Sequence, residues 1–122
     1  MKTNTHHKIN YVEFPCRNLP ETKAFFRQAF GFAFSDFGPD YMCFQDEGID
    51  GGFYKADVAS TQETGGALVV FYSEKLEESE ALINIAGGAI VKPIFDFPGG
   101  RRFHFKEPSG NEFAVWSDVG GE

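Results

Sequence analysis

The chain has 122 residues, 42% hydrophobic and 24% charged, enough for a modest core and ordinary for a globular protein. Its formal net charge of −7 repels phosphate backbones and argues against a nucleic-acid partner. No run reaches the roughly 18 apolar residues of a membrane span.

The polar start, Met1 to Lys8, lacks an apolar signal core. With only Cys16 and Cys43 in the chain, this points to a reducing cytoplasm and not to a disulfide scaffold. His6 and His7 read as an exposed arm, since neighbours on a strand face opposite ways and chelate poorly. Ile9 to Cys16 is an apolar strand. Leu19 to Gly31 follows as a helix: Asn18 can cap it, Pro20 suits its first turn and Gly31 stops it. Strand candidates then lie at 33–36, 41–45 and 52–55. Asp57 to Gly66 is a polar connection. Ala67 to Tyr72 is the next strand, Leu76 to Ala86 the next helix, begun near Ser73 and stopped by Gly87-Gly88. Three more strands follow at 89–95, 102–106 and 112–117. Most of the fifteen phenylalanines are expected in the core, because aromatic rings bury large areas.

The last two strands meet at Glu107-Pro108-Ser109-Gly110-Asn111. Pro108 presets the turn, and Gly110 can take the left-handed φ that closes it. A three-residue loop with a glycine bulge pairs residue 107 with 111. It therefore sets 104 opposite 114 and 102 opposite 116.

The element order repeats. Leu19 to Leu76 and Gly31 to Gly88 are both shifted by 57 residues, and Phe44 matches Phe105. Each half is βαβββ, with repeats at about 8–56 and 67–118 of a single domain over 1–122. Neither half has enough surface to bury alone. The expected fold class is α+β: two tandem βαβββ modules forming a cupped, mostly antiparallel mixed sheet.

This arrangement resembles the vicinal oxygen chelate superfamily, which includes glyoxalase I, the bleomycin-resistance proteins and extradiol dioxygenases. The resemblance rests on Val12-Glu13-Phe14-Pro15 with Asn18-Leu19, Phe25-Phe26 with Phe30-Gly31, Gly51-Gly52, Gly87-Gly88 and the 107–111 turn. It covers about residues 8–118. The family usually has Asp where Glu107 stands. Metal-dependent members hold one divalent ion with four His, Gln or Glu side chains, one from each of four strands. The positions that correspond here are Tyr11, Gly52, Leu68 and Ala114. The one-residue alternatives Asn10, Val69 and Phe113 supply no better donors and lie on the other face. The resemblance therefore implies the fold without the usual metal site, and no cofactor is expected.

Strand alternation gives the inner surface. Val12 and Phe14 pack under the helices, leaving Ile9, Tyr11, Glu13 and Pro15 facing the cup. Phe103, Phe105, Phe113 and Val115 form the apolar outer face, with Arg102, His104, Ala114 and Trp116 inward. By the repeat, Tyr41, Cys43, Gln45, Gly52 and Tyr54 also face inward, joined by Leu68, Val70 and Tyr72. An aromatic surface with a few convergent polar groups suits a small molecule.

Glu13 and His104 are the acid–base candidates. Each also has a plain structural reading, Glu13 bonded to a tyrosine or Arg102 and His104 to an acidic neighbour. Cys43 occupies the position equivalent to His104 and reads either as a nucleophile or as a small buried hydrophobe. The Gly51-Gly52 pair either leaves room for a ligand or marks a bulge.

The expected function is binding of a small aromatic or cationic molecule in the cup without a metal, by a homodimer. The alternatives are a metal-independent lyase or isomerase related to lactoylglutathione lyase, using Glu13 and His104, and a non-catalytic interaction module.

Overall fold

A computed structural model describes residues 4–119. The first half runs β1 (Tyr11–Cys16), α1 (Leu19–Phe30), β2 (Phe34–Asp36), β3 (Tyr41–Phe44) and β4 (Asp50–Lys55). The second runs β5 (Val69–Tyr72), α2 (Leu76–Ile85), β6 (Ala89–Phe97), β7 (Gly100–Lys106) and β8 (Glu112–Ser117). These are two βαβββ units, each closing its own four-stranded sheet, in the orders β1-β4-β3-β2 and β5-β8-β7-β6. Each sheet is mixed, with one parallel pair (β1 with β4, β5 with β8) beside antiparallel neighbours.

Local chemistry sets the helix ends. The Asn18 side chain accepts from the Glu21 N–H at 3.0 Å, and Gly31 closes α1 in the left-handed region at φ 72°. The second helix lacks a side-chain cap and begins after Lys75. Ser73 instead accepts from the Lys75 N–H at 3.0 Å and lies 2.7 Å from the Ser79 hydroxyl.

Helix α1 joins the two halves through its rings. Phe26 lies 5.6 Å from Phe53 of the first sheet and 5.4 Å from Phe113 of the second, while Phe14 and Phe113 meet directly at 5.0 Å. Phe30 stacks on Phe71 at 4.2 Å. Phe103, Phe105, Phe113 and Val115 are fully buried in this common core, as the alternation of the last hairpin requires.

The β7–β8 hairpin has the expected register. His104 pairs with Ala114 and Arg102 with Trp116, the Glu107 N–H donates to the Asn111 carbonyl at 3.0 Å, and Gly110 has φ 95°.

The hairpin tip also docks across the molecule. The buried Glu107 carboxylate accepts from the Thr22 hydroxyl, the Ser109 N–H and the Asn111 amide, each at 2.7 Å. The Asn111 amide donates at the same time to the Pro15 carbonyl at 2.7 Å, and its oxygen accepts from the Ser60 N–H at 2.8 Å. Ser109 receives the Asn18 N–H at 3.0 Å. Burial pushes the Glu107 carboxyl above its usual range, against the pull of these donors. All three groups facing Glu107 donate, so an amide at this position turns one donor against another. Glu107→Gln should lower stability by about 1–3 kcal/mol, measured by urea denaturation. Unchanged stability would remove the tip from the forces joining the halves.

Candidate functional site

On the open face of the first sheet, β1 and β3 both flank β4, so Tyr11, Glu13 and Tyr41 converge over Gly52. Glu13 lies opposite Gly52 from one side and Cys43 from the other. Tyr41 donates to the Glu13 Oε2 at 2.9 Å, and its oxygen lies 2.5 Å from the Tyr11 hydroxyl. The Tyr41 proton is spent on Glu13, so Tyr11 must be the donor in the second bond. The relay runs Tyr11 to Tyr41 to Glu13. Burial, then the bonds to Tyr11 and Glu13, push the Tyr41 phenol far above its ordinary range, so Tyr41 keeps its proton.

The two hydroxyls fill the space above Gly52. A Cβ there would run into the Tyr41 hydroxyl and stand 2.5 Å from the Tyr41 Cζ and 2.8 Å from the Tyr11 oxygen. The pairing of β4 is regular on both sides. Gly51-Gly52 is therefore not a bulge; the glycine accommodates protein tyrosines. The free valences of the relay, on the Tyr11 oxygen and the Glu13 carboxylate, are acceptors only. Tyr54, opposite Tyr41 and exposed, extends this face.

The second sheet repeats the geometry with other chemistry. Ala114 lies between Val70 and His104, as Gly52 lies between Glu13 and Cys43. His104 is fully buried and its Nδ1 is 2.9 Å from the Glu112 Oε2. The other Glu112 oxygen accepts from the Gln62 N–H at 3.0 Å. Burial raises the Glu112 carboxyl, but the His104 bond, the Gln62 N–H and the charges of His104 and Lys92 outweigh it, and the net shift is downward. An ionised Glu112 can only accept, so the His104 proton sits on Nδ1. Nearby, Trp116 packs edge-on against Tyr72 at 5.2 Å, and Tyr72 donates to Asp118 at 2.5 Å. Arg102 lies beside the rings of Phe95 and Phe97.

The sequence-derived site residues thus fall into two groups. Tyr11, Glu13, Tyr41, Cys43, Gly52 and Tyr54 share the first sheet. Tyr72, Arg102, His104, Ala114 and Trp116 share the second. Leu68 precedes β5, and Ile9, largely exposed, precedes β1. Pro15, read as facing the cup, is buried and lends its carbonyl to Asn111. Glu13 and His104 each have a partner on their own sheet, Tyr41 and Glu112. Sequence reasoning did not single out Glu112. The signal was available, since Glu112 shares a face with Ala114 and lies diagonal to His104 across the hairpin.

Residues 8–115 match the family model of the Glyoxalase/Bleomycin resistance protein/Dioxygenase superfamily. The chain belongs to this superfamily. No curated protein matches its sequence. Solved structures share the superfamily fold at low identity. A glyoxalase-related enzyme from Fulvimarina pelagi superposes with a TM-score of 0.76 at 13% identity, covering 91% of this chain and 88% of that one. A glyoxalase/bleomycin resistance protein/dioxygenase family enzyme from Burkholderia phytofirmans PsJN gives 0.74 at 16%, covering 90% and 98%. Lactoylglutathione lyase from Agrobacterium tumefaciens gives 0.69 at 16%, covering 93% and 96%.

The superfamily's divalent ion needs imidazole or carboxylate donors. At the positions the sequence resemblance assigns to it, Tyr11 is engaged with Tyr41, Gly52 lies under two phenols, Ala114 is fully buried, and Leu68 is apolar. Among the described residues, no three His, Cys, Asp or Glu side chains form a metal-holding group. The residues present do not fit the ion.

The lowered Glu112 carboxyl makes a signed prediction. A folded-state value below the unfolded 4.5 contributes stability above pH 4.5 that is lost as pH falls through the folded value. The stability gap between the wild type and Glu112→Gln should therefore shrink on acidification below pH 4.5. Denaturant midpoints across pH test this, and a constant gap refutes it.

Proposed function

We propose that this superfamily member binds a small molecule on the tyrosine face of its first sheet, without a metal. The Tyr11–Tyr41–Glu13 relay over Gly52 carries this reading. Its outward valences are all acceptors, so they complement a ligand bearing N–H donors or positive charge, and the tyrosine rings suit an aromatic body. The net charge of −7 steers such a ligand inward. Binding is favoured over Glu13/His104 acid–base catalysis because each of these groups is held by its own partner, and His104 is fully buried.

The reading includes a homodimer in the cytoplasm. Exposed Val70 on the second sheet offers an apolar position to a second copy, and Cys16 and Cys43, free of any disulfide, suit a reducing compartment.

A panel of small amine- and amidine-bearing aromatics should raise the melting temperature without being turned over. A ligand at 100 times its Kd adds about 2.7 kcal/mol. Tyr41→Phe removes the bridging hydroxyl and should weaken binding by about 1 kcal/mol, or roughly fivefold. No stabilisation by any compound, turnover lost in Glu13→Gln, or one tightly held Zn²⁺ per chain lost in Tyr11→Phe would each overturn the reading.

A further inference from the structure

The two adjacent arginines of β7 point to opposite sides of the sheet. Arg101 reaches α2, where its Nη1 and Nη2 donate to the two Glu77 oxygens at 2.6 and 3.2 Å. Arg102 faces the other way and forms no ion pair among the described residues. Its guanidinium carbon lies 5.5 Å from the Phe95 ring centre and 5.9 Å from that of Phe97, and its Nε is buried without an acceptor. The residue is only half-buried, so its terminal nitrogens remain reachable. Trp116 is its partner across the hairpin, with Phe97 at 6.3 Å and Tyr72 at 5.2 Å from the indole.

In a chain with 18 acidic and 11 basic residues, a half-buried arginine without an acid partner is conspicuous. Aromatic neighbours hold the planar, weakly hydrated guanidinium without neutralising it. Its five fixed donors match a carboxylate in bidentate fashion. The geometry points to an anion subsite on the second sheet, in which Arg102 binds the carboxylate of a small aromatic acid whose ring packs against Trp116 and Tyr72. This does not rest on the tyrosine site. Tyr41 of the first sheet is the positional counterpart of Arg102, Tyr41 pairing with Tyr54 as Arg102 pairs with Trp116, and the relay around Tyr41 presents acceptors where Arg102 presents donors.

Trp116 is the only tryptophan, so intrinsic fluorescence reads this subsite. Benzoate titrated into the full chain at constant ionic strength should change Trp116 emission saturably. Benzamide, of similar shape but uncharged, should bind at least about tenfold more weakly, as should inorganic phosphate, which lacks the ring. Arg102→Gln should weaken benzoate by about tenfold or more with far-ultraviolet circular dichroism unchanged. Arg102→Lys keeps the charge without the fork, should fall between, and serves if the glutamine variant does not fold. Arg101→Gln should bind benzoate like the wild type. No saturable response, equal binding of benzamide or phosphate, or undiminished binding in both Arg102 variants would overturn the assignment. The aromatic-cation screen and Tyr41→Phe report on the other sheet, so the two readings fail separately.

Discussion

The buried Glu107 carboxylate is the constraint on which the placement of the two halves depends. A carboxylate taken out of water is costly unless hydrogen bonds replace its hydration. Here the replacements come from α1 through Thr22 and from the hairpin's own Ser109 and Asn111. Satisfying this group therefore requires the tip of the second half to seat against the first. Asn111 adds the Pro15 carbonyl and the Ser60 N–H to the same junction. Hydrophobic burial brings the halves together, since Phe26 touches rings of both sheets. Apolar contact is not directional, and the polar tip supplies the orientation that the phenylalanines do not.

Much of this fold was legible because its signals are local. Asn18, Pro20 and Gly31 mark α1 within one stretch of chain, and Pro108 with Gly110 fixes the phase of the last hairpin. What remained hidden depends on lateral strand order. That Tyr11 reaches Tyr41 follows only once β4 lies between β1 and β3, residues distant in sequence. The same order turned Gly52 from apparent room for a ligand into a seat for two phenols. Pro15 misled because alternation reports which way a side chain points and says nothing of what covers it. The hairpin tip reaches the buried Pro15 from far along the chain, the hydrogen bond from the Asn111 amide to its carbonyl spanning 96 positions.

The repeated scaffold separates position from chemistry. Gly52 and Ala114 occupy matching places, each between a parallel and an antiparallel neighbour. Around Gly52 stand a carboxylate and a thiol; around Ala114 stand Val70 and an imidazole. The backbone ladder tolerates either set because its hydrogen bonds do not involve them. Divergence on these faces therefore leaves the opposite side of the same strands untouched, where Phe53 and Phe113 remain fully buried.

The tyrosine cover over Gly52 also shapes which sequences lie one step away. A side chain at position 52 would have to displace Tyr41, because its first carbon would collide with the phenol hydroxyl. Tyr41 would have to swing aside or shrink, and either change dismantles the relay to Glu13. The relay and a side chain at position 52 therefore exclude one another. The phenols thus hold position 52 to glycine for as long as the relay is kept.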